Sequence, residues 1–125
     1  MPIQEADTQF MARVMKTLMN NPTGSDLDFL VQAHTKVGYL AAIAQKEAEF
    51  AYAVRKNAEA TAWREAMNGE TKVTAAAADK AAELAVWDLR VREIQANESS
   101  KKISNLLSSI TEAINGIKFL GRMGA

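Results

Sequence analysis

The 125-residue chain contains no cysteine, only two prolines and only 6% aromatic residues. The lack of cysteine excludes disulfide bonds and thiolate metal sites, and it is typical of proteins that fold in a reducing cytoplasm. Proline, the strongest helix breaker, is scarce, whereas alanine, the best helix former, is plentiful. This composition favours an all-α protein.

Long apolar runs and an excess of either charge are also missing. No uninterrupted apolar run approaches the ~20 residues that a membrane span needs, and the acidic start "MPIQEADTQF" has no apolar core of a secretory signal. We therefore expect a cytoplasmic protein that does not contact a membrane. The 15 basic and 15 acidic side chains cancel, so nucleic-acid binding would need a local patch of cations.

Apolar spacing and break signals predict three helices in a single domain, residues 1–125. A short helix covers about 3–19 and ends in "NNPTGSD". Ser25 is the predicted N-cap of a long helix over about 26–67, interrupted only by Gly38. Asn68-Gly69 is the predicted left-handed cap that ends it. Thr74 is the predicted N-cap of a second long helix over about 74–116 or beyond.

The two long helices carry complementary side-chain sizes. The first has large aliphatic residues early and alanines late, whereas the second has alanines early and large aliphatics late. An antiparallel hairpin that turns at 69–73 places alanine against alanine near the turn and large against large at the other end. The predicted architecture is therefore a long antiparallel helical hairpin with a short N-terminal helix.

The aliphatic stripe of the last third is wider than one partner helix covers. This excess predicts a homo-oligomer. The predicted interface residues are Leu106, Ile110, Ile114, Ile117 and Leu120.

Catalytic and metal-binding patterns are missing. His34 is the only histidine, and no Glu-x-x-His pair or phosphate-cradling glycine loop accompanies it. A surface or partly buried histidine is the favoured interpretation of His34. We expect no enzyme activity, no cofactor and no metal site.

Clustered cations are the strongest candidates for a binding function. After Glu112 the chain has no acid, and repetition of this cationic end in an oligomer would add to its attraction for phosphate. Ordinary surface ion pairs are the alternative interpretation of these residues. The candidate nucleic-acid contacts are Arg55, Lys56, Arg64, Lys101, Lys102, Lys118 and Arg122.

Two segments resemble the UvsY family, the recombination mediators of T-even-type bacteriophages. "KVTAAAADKAAEL" opens a helix after a glycine turn and contains Ala78-Asp79, which matches a pair in that family. "AINGIKFLGR" is similar to its Ile-Lys-x-x-x-Arg ending through Ile117-Lys118 and Arg122. The likeness covers about residues 27–122. The basic stretch of the family before the glycine turn is reduced here to Arg64, with Arg55 and Lys56 a few turns earlier as substitutes.

The resemblance implies a helical, ring-forming, non-catalytic protein that binds single-stranded DNA. It further implies that the oligomer helps load a recombinase onto DNA covered by a single-strand-binding protein, in an infected bacterial host if the chain is phage-encoded. The alternative is a helical protein–protein adaptor or assembly factor without DNA affinity. Zero net charge and the methionine row Met11, Met15 and Met19 favour that alternative.

Overall fold

The computed structural model describes residues 3–69 and 71–124. Within these ranges the chain forms four α-helices joined by short connections: α1 (Glu5–Met19), α2 (Leu27–Met67), α3 (Ala75–Ala85) and α4 (Trp87–Met123). A single 3₁₀ turn, Gly24–Asp26, precedes α2. The prediction of an all-α protein is confirmed.

Helix starts follow side-chain capping, with one difference from prediction. The hydroxyl of Thr74 accepts a hydrogen bond from the backbone N–H of Ala77 at 3.1 Å, so the predicted cap of α3 is confirmed. The prediction of Ser25 as a cap is wrong. The turn before α2 is closed by Thr23, whose backbone N–H donates to the carboxylate of Asp26 at 2.8 Å. An acceptor at the third helical position satisfies a backbone donor that the helix itself leaves free.

Helix ends also differ in detail from the prediction. After α1, Asn21 adopts a left-handed conformation with φ of 51°, which asparagine tolerates better than most residues. The long helix α2 ends at Met67, as predicted, but Gly69 is not left-handed, because no glycine in the described ranges has a positive φ. The predicted turn at 69–73 includes Glu70, which lies outside the described residues.

The second long helix is divided at Val86, which corrects the prediction of one continuous helix. Val86 has φ −110° and ψ 18°, outside the α region, and β-branched residues are weak helix formers. Backbone bonding resumes at once, because the N–H of Arg90 donates to the carbonyl of Val86 at 2.9 Å. The helix α4 then runs through Gly116 to Met123, so an interior glycine does not end it.

The chain is organised as two compact units. Unit 1 contains the described residues of Met1–Gln45 and Ser99–Ala125, and unit 2 contains those of Lys46–Glu98. The core of unit 1 draws on α1, the first part of α2 and the last part of α4. Along α2 its buried positions alternate steps of three and four residues, the spacing of a helix that packs against other helices. The buried core residues are Val14, Leu30, Ala33, Val37, Leu40, Ala44, Ile103, Ile110 and Ile114.

The residues predicted to form an oligomer interface lie mostly inside unit 1. Ile110 is 0% exposed and Ile114 9% exposed, and Leu106 and Ile117 pack partly buried against the same core. The prediction is therefore wrong for Ile110 and Ile114, because α1 joins the two other helices in covering the aliphatic stripe. Of the five residues, Leu120 is the one that is largely exposed, at 69%.

Unit 2 has a core of small side chains. Ala48 on α2, Ala78 and Ala82 on α3, and Val86 are buried. Because alanine side chains are small, the helix backbones can approach closely, and each position buries little apolar area. Two charged residues, Arg55 and Glu93, are buried in the same unit.

Candidate nucleic-acid interface

The seven cations predicted to contact nucleic acid are divided between the two units. Unit 2 holds Arg55, Lys56 and Arg64, all on α2. Unit 1 holds Lys101, Lys102, Lys118 and Arg122, all on α4. All are exposed except Arg55.

Arg55 is not available to nucleic acid, which corrects its prediction as a contact. Its side chain is 10% exposed and lies against Glu93, whose side chain is 6% exposed. The Nε of Arg55 donates to one carboxylate oxygen of Glu93, and Nη2 donates to the other at 3.4 Å. Nη1 donates to Glu59 at 2.5 Å. Each nitrogen of this guanidinium therefore donates one hydrogen bond to a carboxylate inside the protein.

The charges of this cluster hold each other in the ionised form. The hydrogen bond from Arg55 lowers the pKa of Glu93 below its ordinary value, against burial, which would raise it. The hydrogen bond to Glu93 likewise raises the pKa of Arg55, against burial, which would lower it. Arg90 adds a further bond to Glu93 at 3.2 Å. The cluster is therefore an internal ion-pair network rather than a ligand site.

Lys56 and Arg64 remain exposed on α2. The Lys56 ammonium lies 5.8 Å from the centroid of the Tyr52 ring, and the Arg55 guanidinium lies 5.4 Å from the same ring. The ring is half exposed. These contacts orient Lys56 at the surface without neutralising it.

The four predicted cations on α4 all remain accessible at the surface. They are exposed, and within the described ranges none of them has an ion pair. Glu112 is the one acid in the sequence after Glu98. Lys118 and Arg122 are one helical turn apart and share a face, whereas Lys102 precedes Lys118 by 16 residues, about 24 Å along the helix. The cations thus form two pairs rather than one compact patch.

Phe119 is a candidate that the sequence analysis missed. It is exposed beside Lys118 in the last turns of α4, with Leu120 and Met123 also exposed. An aromatic ring next to cations is the arrangement that proteins use to stack on unpaired bases while holding the phosphates. The segment "IKFLGR" contains this signal, since its aromatic residue lies between two basic ones.

The described part of the chain holds no candidate metal site beside these cations. His34 is exposed on α2. In residues 3–69 and 71–124, no group of three histidine, aspartate or glutamate side chains is placed to hold a metal ion. None of the helices in those ranges is both long and apolar enough to cross a membrane.

Comparison with known proteins adds no relative. No protein family, no curated protein and no solved structure matches this chain. The resemblance to the UvsY family therefore stays a prediction from the residues quoted above.

The exposed cations of α4 can hold phosphate groups through charge, with an affinity that falls as salt rises. Lys118 and Arg122 also lie near the carboxyl end of α4, where cations are stabilised by the negative end of the helix dipole. Both roles are compatible, because a cation at a helix end keeps its outward hydrogen-bond donors.

Proposed function

We propose that this chain is a non-catalytic, oligomeric single-stranded-DNA-binding protein that acts as a recombination mediator. The observation that carries the proposal is the set of unpaired cations on the last part of α4. Lys101, Lys102, Lys118 and Arg122 are exposed with a single acid, Glu112, among them. Phe119 supplies a ring for base stacking beside Lys118, which favours unpaired over double-stranded DNA.

The architecture that we propose for the two long helical segments is an antiparallel hairpin assembled into a homo-oligomer. In unit 2, α2 and α4 meet through Arg55 and Glu93. In unit 1, the same two helices contribute to one core. The resemblance to phage recombination mediators supports the further role of loading a recombinase onto DNA that carries a single-strand-binding protein. No cofactor takes part in this function.

Fluorescence anisotropy with a labelled single-stranded oligonucleotide tests DNA binding directly. We expect binding at low salt that weakens steeply as salt rises, because the released counterions set the slope. The double variant Lys101→Glu with Lys102→Glu should weaken binding at least tenfold and leave the sedimentation mass unchanged. The matched control, Lys16→Glu with Lys46→Glu, changes the net charge equally on other helices. Flat anisotropy for the wild-type chain at low salt would rule the proposal out.

A helical adaptor without DNA affinity is the second candidate. The exposed side chains of Met15 and Met19 on α1 favour it, because flexible methionine surfaces adapt to protein partners. Flat anisotropy together with capture of one defined host protein, lost on Met15→Glu with Met19→Glu, would favour the adaptor.

A further inference from the structure

Unit 2 carries an apolar surface on the side of α3 and α4 that faces away from its core. We call this surface the outer stripe. Its members follow one another at alternating steps of four and three residues, the heptad spacing of helices that pair along their length. Leu84 is 69% exposed and Trp87 59% exposed, Ile94 is also exposed, and Val91 is partly so. The outer stripe comprises Lys80, Leu84, Trp87, Val91, Ile94 and Glu98.

The outer stripe is distinct from the face that packs inside unit 2. Ala82 on α3, Val86 between the two helices and Glu93 on α4 are buried. Helical hydrogen bonds cross the boundary, from the N–H of Val86 to the carbonyl of Ala82 and from the N–H of Arg90 to the carbonyl of Val86, so the two helices follow one another in register. An ordinary surface helix has one apolar face and one polar face, whereas this segment has apolar side chains on both. Water therefore meets three large apolar side chains, Leu84, Trp87 and Ile94, and such exposure is typical of an interaction surface.

The two ends of the outer stripe carry opposite charges. Lys80 lies at one end and Glu98 at the other, both exposed. Neither takes part in an ion pair within the part of the chain that the structure describes. The sequence of the stripe is thus cation, four apolar residues, anion.

We propose that the outer stripe is a two-fold interface at which a second copy of this chain pairs antiparallel. With the two-fold axis near residue 89, Leu84 faces Ile94 of the second copy and Trp87 faces Val91 of the second copy. Lys80 then faces Glu98 of the second copy, and the same pair recurs at the other end. Every position of the stripe meets a complementary one, as an isologous contact requires.

The charges at the two ends of the outer stripe favour this orientation. A parallel pairing would place Lys80 against Lys80 and Glu98 against Glu98, and like charges in register destabilise a helical pair. At the centre, the antiparallel pairing brings Arg90 near Arg90 of the second copy and Asp88 near Asp88 of the second copy. Arg90 is already bonded to Glu93 at 3.2 Å, which offsets part of the repulsion between the two copies of Arg90. Trp87, a residue type enriched at interface centres, lies beside the axis.

This interface goes beyond the proposed DNA contact and does not depend on it. The stripe lies in unit 2, whereas the cations of α4 proposed to hold DNA lie in unit 1. Loss of DNA binding with an intact dimer, or the reverse, would therefore separate the two proposals.

Sedimentation analysis of the full chain tests the interface. We expect the variant Leu84→Glu to halve the mass of the wild-type assembly while circular dichroism shows unchanged helicity. The matched control is Phe50→Glu, which replaces an apolar residue of similar exposure, 72%, on α2 of the same unit, and it should keep the wild-type mass. A monomeric wild-type chain at about 100 µM, or an unchanged mass for Leu84→Glu, would overturn the proposal.

Charge reversal tests the pairing of the two ends. Lys80→Glu alone and Glu98→Lys alone should each weaken self-association at least fivefold, because each places like charges opposite one another. The double variant with both reversals restores opposite charges and should recover wild-type association. If the double variant loses as much self-association free energy as the two single variants together, the antiparallel register is wrong.

Single-cysteine variants test the direction, since the wild-type chain has no cysteine. A mixture of Lys80→Cys and Glu98→Cys chains should cross-link through a short bismaleimide. Lys80→Cys chains alone should not, because antiparallel pairing separates their thiols by about 27 Å along the helix. Cross-linking of Lys80→Cys chains alone would show a parallel arrangement and overturn the proposal.

Discussion

The carboxylate of Glu93 on α4 bonds the guanidinium of Arg55 on α2, and both side chains are at most 10% exposed. A second nitrogen of Arg55 donates to the carboxylate of Glu59 at 2.5 Å, and the more exposed Arg90 donates to Glu93 at 3.2 Å. Within the described residues, these two are the buried charged side chains, and no buried side-chain polar atom lacks a partner. Unit 2 thus combines an alanine core with one satisfied ionic cluster.

We predict that Glu93→Gln lowers the free energy of unfolding by about 2 kcal/mol, between the values typical of exposed and deeply buried ion pairs. The loss arises because Arg55 keeps its charge but loses its anionic partner, since the glutamine amide offers one neutral acceptor oxygen in place of a carboxylate. Urea denaturation followed by circular dichroism measures it. Glu112→Gln, an exposed change on the same helix, should shift the free energy by less than about 0.5 kcal/mol. Equal effects of the two variants would contradict the burial of Glu93.

Replacement of both charged partners should be much less harmful than loss of one. We predict that Arg55→Met with Glu93→Leu unfolds within about 1 kcal/mol of the wild-type chain, because no buried charge is left without a partner. The same denaturation experiment checks this, with Arg55→Met alone as the comparison. A double variant less stable than Arg55→Met alone would show that the ion pair stabilises the fold by more than the neutralisation of two buried charges.

Stability should fall in acid partly through Glu93. The hydrogen bond from Arg55 holds the pKa of Glu93 below its ordinary value of 4.5 in the folded chain. Its contribution is therefore fully present above about pH 4.5, the unfolded value, and is lost as the pH falls through the lower folded value. Thermal unfolding at a series of pH values between 7 and 2 should show a smaller drop for Glu93→Gln than for the wild-type chain. Parallel curves would mean that Glu93 does not titrate abnormally.

Ile110 should behave as a core residue rather than as an interface residue. It is 0% exposed in unit 1, so we predict that Ile110→Ala costs about 3 kcal/mol in unfolding free energy. Leu120→Ala, at an exposed position on the same helix, should cost less than about 0.5 kcal/mol. A sedimentation mass that drops for Ile110→Ala without any loss of stability would instead restore the interface predicted from sequence.

Phe119 should contribute to oligonucleotide binding without contributing to folding. We predict that Phe119→Ala weakens affinity for a single-stranded oligonucleotide about fivefold, near 1 kcal/mol, because one stacked base is lost. The salt dependence should be unchanged, since no cation is removed. Leu120→Ala serves as the control and should leave the affinity within about twofold. An equal loss for both variants would indicate a general effect on the end of α4.

The sequence predicts those elements of the fold that depend on local chemistry. Thr74 caps α3 because its hydroxyl reaches a backbone donor three residues on, and this follows from residue type alone. The end of α2 near Met67 is equally local. The break at Val86 was missed because a single β-branched residue is tolerated in most helices, so residue type alone does not predict a break there.

At the candidate site, the sequence alone did not predict which charged residues are buried. Arg55 and Glu93 are 38 positions apart, so their burial depends on a contact that only folding creates. As isolated charges on helical surfaces they look like Lys56 or Glu98, which remain exposed. The interface prediction for Ile110 and Ile114 failed similarly, because the area that α1 covers cannot be read from the stripe alone. The lack of ion pairs at Lys118 and Arg122 among the described residues was predictable from local sequence, since no acid follows Glu112.

The alanine core of unit 2 has few side chains that distinguish one position along its helices from the next. Because each alanine resembles the next, the alanine contacts of unit 2 would change little if α2 were shifted by one turn against its neighbour. Such a slide would move Arg55 about 5.4 Å from Glu93, and each charge would be stranded in an apolar layer. The ionic cluster thus favours a single register between the helices of unit 2.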